Sequence, residues 1–262
     1  MATAVRDEVR DRAELIRTEY LTHVFGDGVV GLDRVSLSVR EGDFLVLAGR
    51  NGSGKTLLMR HLIGLARPST GRVLFRGVEI DKDIRKVRTG IGLVFQESES
   101  QIIGQTVAED VAFGPSNLGL PRSEIADRTA QAISALHLKG MEDRVPDLLS
   151  GGERRRLAIA GVMAMNPDCL ILDEPFANLD LPSIRQVLRS MTDLHSSGHT
   201  IIVLTHELEK ILAHATRLVV MEAGAIVYDG DPEPADRRVF GENGLSDPYR
   251  LTTVRADLTW IG

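Results

Sequence analysis

The run Phe44-Leu45-Val46-Leu47-Ala48-Gly49-Arg50-Asn51-Gly52-Ser53-Gly54-Lys55-Thr56 joins two signals that belong together in one kind of sheet. Five consecutive apolar residues predict a strand that leads directly into the loop. The eight residues Gly49 to Thr56 fit G-x-x-x-x-G-K-[ST], a phosphate-binding loop that opens a helix, predicted from Lys55 to about Leu65. Gly49, Gly52 and Gly54, with Asn51 and Ser53 between them, leave the backbone free to turn its N–H groups toward a polyphosphate at the helix N-terminus. Lys55 is placed to reach the β and γ phosphates, and the Thr56 hydroxyl falls where a Mg²⁺ ligand belongs. The plain alternative is a glycine-rich turn with an incidental lysine.

With 262 residues the chain holds one large domain with a lobe, or two compact subdomains, but not two full nucleotide-binding domains in tandem. A net charge of -6 offers no overall basic field for a nucleic-acid backbone. The densest basic run, Arg154-Arg155-Arg156, opens a helix and is expected to be a solvated or partner-facing turn. The single cysteine, Cys169, excludes an intrachain disulfide and suits a reducing cytosol. No apolar run approaches the roughly 18 residues of a spanning helix, and the charged start, Arg6 to Arg12, lacks the apolar centre of a signal peptide. The expectation is a chain neither secreted nor embedded in a bilayer.

Val35, Leu37 and Val39 alternate with polar residues and predict a half-exposed strand. Val73-Leu74-Phe75 and Val78-Glu79-Ile80 predict a hairpin about Arg76-Gly77, and Ile91 to Phe95 a further strand. From Thr106 to about Leu138 the period shifts toward 3.6, with Ser123 as the expected cap and Pro115, Pro121 and Pro146 breaking the region into short helices. Apolar strands return at Cys169 to Leu172 and Ile201 to Leu204, separated by a helix that begins near Pro182. The tail ends in Leu258-Thr259-Trp260-Ile261, expected to be packed. The expected class is α/β: a P-loop NTPase core of mostly parallel sheet, with an antiparallel β subdomain and a helical lobe.

Cys169-Leu170-Ile171-Leu172-Asp173-Glu174 ends a buried strand in two acids, which is costly unless they are paired. Beside a triphosphate, Asp173 is read as the metal-side acid acting through water, and Glu174 as the group that polarises an attacking water. The alternative for Glu174 is a cap or an ion pair. Leu149-Ser150-Gly151-Gly152-Glu153 precedes a helix predicted over Arg154 to Ala164, with Ser150 and Glu153 spaced as a capping box.

These five residues match the signature of the ATP-binding cassette (ABC) ATPases, and from about Leu21 to Gly230 the chain resembles that family in motif order. The resemblance implies ATP as the nucleotide and Mg²⁺ as its metal. It implies that Phe25 stacks on adenine in place of the commoner Tyr, and that Gln96 contacts Mg²⁺ and relays the state of the site to a membrane partner. Ser150, Gly151 and Gly152 would face the γ phosphate held by an opposite subunit, Asp180 would cross the dimer interface, and His206 would contact the γ phosphate. Each has a plainer alternative: Phe25 as core, Gln96 and Asp180 as turn or cap residues, and His206 as a satisfied helix-start side chain.

The stretch Val94 to Pro115 is similar, more narrowly, to ATPases of energy-coupling factor importers, with Glu97-Ser98-Glu99 departing from a commoner Asn-Pro-Asp. That likeness implies three domains: a charged arm over 1–17, a nucleotide-binding domain over 18–230 with a helical lobe at about 97–160 inserted in a RecA-like core, and a C-terminal extension over 231–262. It further implies a second ATPase subunit, an integral membrane coupling protein and a substrate-binding membrane protein, with the chain peripheral on the cytoplasmic face. No nucleic-acid partner is expected. The rival, a nucleic-acid maintenance ATPase of the same superfamily, commonly carries a long coiled-coil insertion, and residues 97–148 contain no heptad run. A further alternative is a regulatory subunit that binds ATP without turnover.

Overall fold

The computed structural model describes residues 12–233, 236–250 and 255–261. Ten strands run through these residues: β1 (Glu14–Val24), β2 (Val30–Arg40), β3 (Phe44–Ala48), β4 (Thr70–Phe75), β5 (Val78–Glu79), β6 (Ile91–Val94), β7 (Cys169–Asp173), β8 (Thr200–Thr205), β9 (Arg217–Glu222) and β10 (Ala225–Gly230). The helices among the described residues are α1 (Lys55–Leu62), α2 (Ile84–Gly90), α3 (Val107–Asn117), α4 (Arg122–Ala135), α5 (Gly151–Met163), α6 (Leu181–Ser196) and α7 (Arg238–Glu242). The larger sheet has the order β10-β9-β3-β8-β7-β6. Its β9-β3-β8-β7-β6 ladder is parallel, with β10 antiparallel at one edge. A second, antiparallel sheet has the order β2-β1-β4-β5. This is the expected α/β architecture.

The unbroken apolar sequence of β3 is explained by two cores. Phe44, Val46 and Ala48 enter one cluster with α5, α6 and the helical lobe, whereas Leu45 and Leu47 enter the other with α1 and the antiparallel sheet. Successive strand side chains face opposite sides, so a sheet covered twice needs apolar residues at every position. The predicted hairpin forms, with Leu74 opposite Glu79 and Phe75 opposite Val78. Arg76 and Gly77 both have positive φ, the geometry of a type I′ turn.

Four local expectations are corrected. The arm assigned to 1–17 ends earlier, because β1 starts at Glu14 and buries Leu15 and Ile16; residues 1–11 lie outside the described residues. Helix α1 stops at Leu62 rather than Leu65. There the Leu65 N–H returns to the Arg60 carbonyl and the Gly64 N–H to that of His61, a Schellman closure. Ser123 is not the cap of α4, since the Pro121 carbonyl already accepts the first helical bond, from the Ile125 N–H. Pro115 does not break α3: it forgoes the one bond that its N–H would make to the Val111 carbonyl, yet the helix runs on to Asn117 and the Leu118 N–H still returns to the Gly114 carbonyl at 3.1 Å. The C-terminal segment packs as expected, with Phe240, Leu245, Tyr249 and Leu258 in the helical-side core and Trp260 and Ile261 against it.

Candidate nucleotide site

The loop after β3 is held from beneath. The Gly224 N–H, in the turn between β9 and β10, donates to the Ser53 carbonyl at 3.0 Å, and the Gly224 carbonyl accepts from the Asp33 N–H at 2.9 Å. Gly49 is required by close approach: a Cβ there would lie 2.4 Å from Ser53 Oγ and 2.5 Å from the Met221 carbonyl oxygen. Lys55 Nζ donates to the Gly49 carbonyl at 2.6 Å and to that of Arg50 at 3.2 Å. Burial pulls the ammonium pKa down, opposed by the charges of Glu174 and Asp173.

A cleft of about 390 Å³ opens over this loop, lined by Phe25, Gly31, Arg50 to Leu57, Gln96, Asp173 and Glu174. It therefore gathers Phe25, Asn51, Gly52, Ser53, Gly54, Lys55, Thr56, Gln96, Asp173 and Glu174 from four separate stretches of chain. Asp173 ends β7 and lines the cleft together with Thr56. Burial, and next the charge of Glu174, raise the Asp173 pKa, with Lys55 and Thr56 pulling the other way. Glu174 follows with φ of 44°, a left-handed backbone rare for a residue with a Cβ, which turns its side chain away from that of Asp173. Glu174 Oε2 accepts from Thr205 Oγ1 at 3.0 Å, and Oε1 lies 2.8 Å from His206 Nδ1.

Phe25 is 45% exposed and is no core residue. It crosses Gly31, where a Cβ would come within 2.6 Å of the ring, and it meets His23 edge-on at 4.8 Å between centroids. His23 Nδ1 is 3.2 Å from Nε2 of the fully buried His61, whose Nδ1 is 2.8 Å from the Leu57 carbonyl. A carbonyl can only accept, so Nδ1 of His61 carries the proton and Nε2 accepts from His23.

Ser150, Gly151, Gly152 and Asp180 do not line this cleft. The expected capping box forms at the start of α5: the Glu153 N–H donates to Ser150 Oγ at 3.3 Å, and the Ser150 N–H to Glu153 Oε2 at 2.7 Å. Asp180 caps α6 through the Ser183 N–H at 3.0 Å. The two helix starts abut, since a Cβ on Gly152 would lie 2.5 Å from Ser183 Oγ.

The basic run at 154–156 is corrected. Arg155 and Arg156 are 6% and 3% exposed rather than solvated. Arg156 donates to the Leu136 carbonyl at 3.0 Å and to the Gln186 side chain, while Arg154 pairs with Glu99 at 2.9 Å. Sequence reasoning also passed over Thr205, whose hydroxyl holds Glu174, although its place at the end of an apolar strand beside His206 was a usable signal.

One buried polar atom in the cleft fits a nucleotide: Ser53 Oγ has no hydrogen-bond partner, though it lies within a loop that wraps a polyphosphate in this motif. Among the described residues, no three His, Cys, Asp or Glu side chains form a self-sufficient metal cluster, and no helix is long and apolar enough to cross a membrane.

Comparison with known proteins agrees with this geometry. The ABC transporter family profile matches residues 32–177. The chain is 40% identical over 239 residues to the cobalt import ATP-binding protein CbiO of Rhodobacter capsulatus, covering 89% of this chain and 85% of that one. It is also 40% identical over 222 residues to the energy-coupling factor transporter ATP-binding protein EcfA of Methanocaldococcus jannaschii, covering 84% and 80%. Among solved structures, cbiO1 from Clostridium perfringens, part of the ABC transporter complex cbiONQ, superposes with a TM-score of 0.81 at 33% identity, covering 88% of this chain and 92% of that one. A phosphate loop, two acids at the end of β7 and a capped signature helix thus occur in a chain that belongs to the ABC transporter family, as an ATP-hydrolysing, transport-coupled subunit closely related to those of the CbiO/EcfA type.

Proposed function

We propose that this chain works in a head-to-tail dimer of ATPase subunits, each nucleotide lying between the cleft of one subunit and the signature turn of the other, and that the dimer drives uptake of a vitamin or transition-metal ion. The observation that carries this is the split of the machinery. Lys55, Thr56, Gln96, Asp173 and Glu174 share one cleft, whereas Ser150, Gly152 and Asp180 lie outside it, at two helix starts that abut. Phosphoryl transfer depends on positioning and charge stabilisation, so two half-sites on separate surfaces call for a second subunit.

In each composite site, Phe25 stacks on the base, the loop amides and Lys55 hold the phosphates, and Glu174 orients the attacking water. His206 and Thr205 fix the Glu174 carboxylate, and the opposite subunit closes over the γ phosphate with Ser150 and Gly152. Thr56, Gln96 and, through water, Asp173 would hold Mg²⁺, an oxygen-only set suited to a hard cation that when bound draws charge from the phosphate oxygens.

The partner surface is proposed on the helical lobe. A groove of about 290 Å³ there, lined by Ile103, Phe113, Gly114, Leu118 and Met165 among others, carries Phe113 at 48% and Ile103 at 57% exposure, a footing for a short helix of an integral coupling protein. The chain would then be peripheral on the cytoplasmic face, with a separate substrate-binding membrane protein carrying the cargo.

Gentle extraction of the membrane complex from the producing cell tests this reading. The expected result is this chain with a coupling membrane protein and a small substrate-binding membrane protein, and ATP-dependent uptake of a vitamin or metal ion by vesicles holding the complex. Recovery of the chain on nucleic acid, with no membrane protein, would refute it.

A further inference from the structure

Arg155 is a buried cation with unusual company. It is 6% exposed, and among the described residues no carboxylate lies within ion-pairing distance of it. Its guanidinium donates instead to two backbone carbonyls, Phe95 at 3.2 Å and Ala177 at 3.5 Å. Burying a guanidinium against neutral carbonyls is costly, and Leu or Met would fill the same space more cheaply. Arg156, also buried, bonds only to groups of the helical packing, the Leu136 carbonyl and Gln186. The two partners of Arg155 both lie in site segments.

The Phe95 carbonyl belongs to the same peptide plane as the Gln96 N–H. The opposite side of Phe95 is fixed separately: its N–H donates to Gln101 Oε1 at 2.8 Å, and Gln101 Nε2 donates to the Leu93 carbonyl at 3.1 Å. Arg155 is thus the side-chain handle on the peptide from which Gln96 departs. Ala177 stands midway between Glu174 and Asp180, in a loop where the Ala177 N–H donates to the Glu174 carbonyl at 3.1 Å and Asn178 has φ of 61°. Arg155 itself rides on α5, one turn from Ser150 and Gly152.

We propose that Arg155 is a positioning residue that couples the two nucleotide sites of the assembly. Through it, the helix that presents Ser150 and Gly152 to one nucleotide is tied to the Gln96 segment at the other, and to the loop that carries Asp180. This rests on the composite dimer proposed above. Closure on one nucleotide pulls α5, α5 carries the Arg155 guanidinium, and the Phe95–Gln96 peptide of the neighbouring site moves with it. One planar side chain with five donors spans both carbonyls, which a lysine ammonium on a single stem cannot do equally well.

The test uses the full chain with Arg155→Met and Arg155→Lys. Binding of Mg-ADP by the monomer should stay within about twofold of the parent, because no residue that holds the β phosphate has changed. Hydrolysis should fall by about tenfold in Arg155→Met, with the Hill coefficient for ATP dropping from near two toward one; Arg155→Lys should recover part of both. The parental rate and Hill coefficient in Arg155→Met would overturn the proposal. Should Arg155→Met melt early, Arg155→Lys combined with Gln96→Ala decides: losses well short of additive support the coupling, and strictly additive losses overturn it. In a Glu174→Gln background at saturating ATP, a parent that stays monomeric would remove the composite dimer and this coupling with it. A parent that closes while the Arg155 variants behave identically would remove the coupling alone.

Discussion

Glu174 and His206 are locked together: Oε1 of the carboxylate lies 2.8 Å from the imidazole Nδ1, and Thr205 Oγ1 holds the other oxygen at 3.0 Å. With both carboxylate oxygens engaged and the backbone at φ of 44°, Glu174 has little freedom to turn, so its lone pairs are aimed before any nucleotide arrives.

Glu174→Gln should therefore keep ATP binding near the parental level while slowing hydrolysis by about 10² to 10⁴, the usual worth of a positioned base. The amide keeps the shape, loses the basicity and turns an acceptor into a donor facing Thr205 or His206. Phosphate release beside fluorescent-nucleotide binding measures the two effects; equal turnover in variant and parent would strip Glu174 of its role.

Lys55→Ala should weaken nucleotide affinity by about ten- to a hundredfold, in line with loss of one charge-assisted contact. Isothermal titration with ATP reads this directly. Unchanged affinity together with unchanged turnover would contradict the phosphate-loop assignment.

Ser150→Arg removes the cap of α5, at a cost of about 1 kcal/mol to stability, and puts a long cation on the surface assigned to closure. Monomer nucleotide affinity should be spared, because Ser150 lies outside the cleft. ATP-driven dimers in the Glu174→Gln background should disappear on gel filtration; a full yield of closed dimer would count against the composite site.

His61 gives a pH prediction. Burial lowers its pKa below the ordinary 6.5, helped by the neighbouring His23. The unfolded chain thus takes up this proton at a higher pH than the folded one, and the contribution of His61 to stability, whole above pH 6.5, is lost as pH falls toward its folded pKa. His61→Leu should narrow the gap in melting temperature between pH 7.5 and pH 5.5. His199 and His214, also lowered by burial, keep part of the gap open. An unaltered gap in His61→Leu would show that His61 carries none of the acid sensitivity.

Much of the fold was legible because local chemistry and long-range packing agree. The phosphate loop, the hairpin at Arg76-Gly77 and the capping box at Ser150 are all specified within a few residues. What escaped depends on partners far along the chain. Arg154-Arg155-Arg156 looks like solvated charge until the carbonyls of Phe95, Ala177 and Leu136 arrive to receive it. The start of β1 was hidden because Leu15 and Ile16 follow a charged run, and their burial comes from β2 and β4, not from local pattern. In the site, the gathering of Phe25, Gln96 and the β7 acids about the loop follows from motif order, whereas the grip of Thr205 on Glu174 needed the neighbouring strand to be placed.

Cys169 is fully enclosed in β7, where burial pushes its thiol far up the alkaline scale and keeps it protonated. Maleimide dyes will therefore pass over the native sulfur, so a reporter cysteine can be engineered on the signature turn or the helical lobe without first building a thiol-free parent, and subunit approach can be followed by energy transfer in an otherwise unaltered protein.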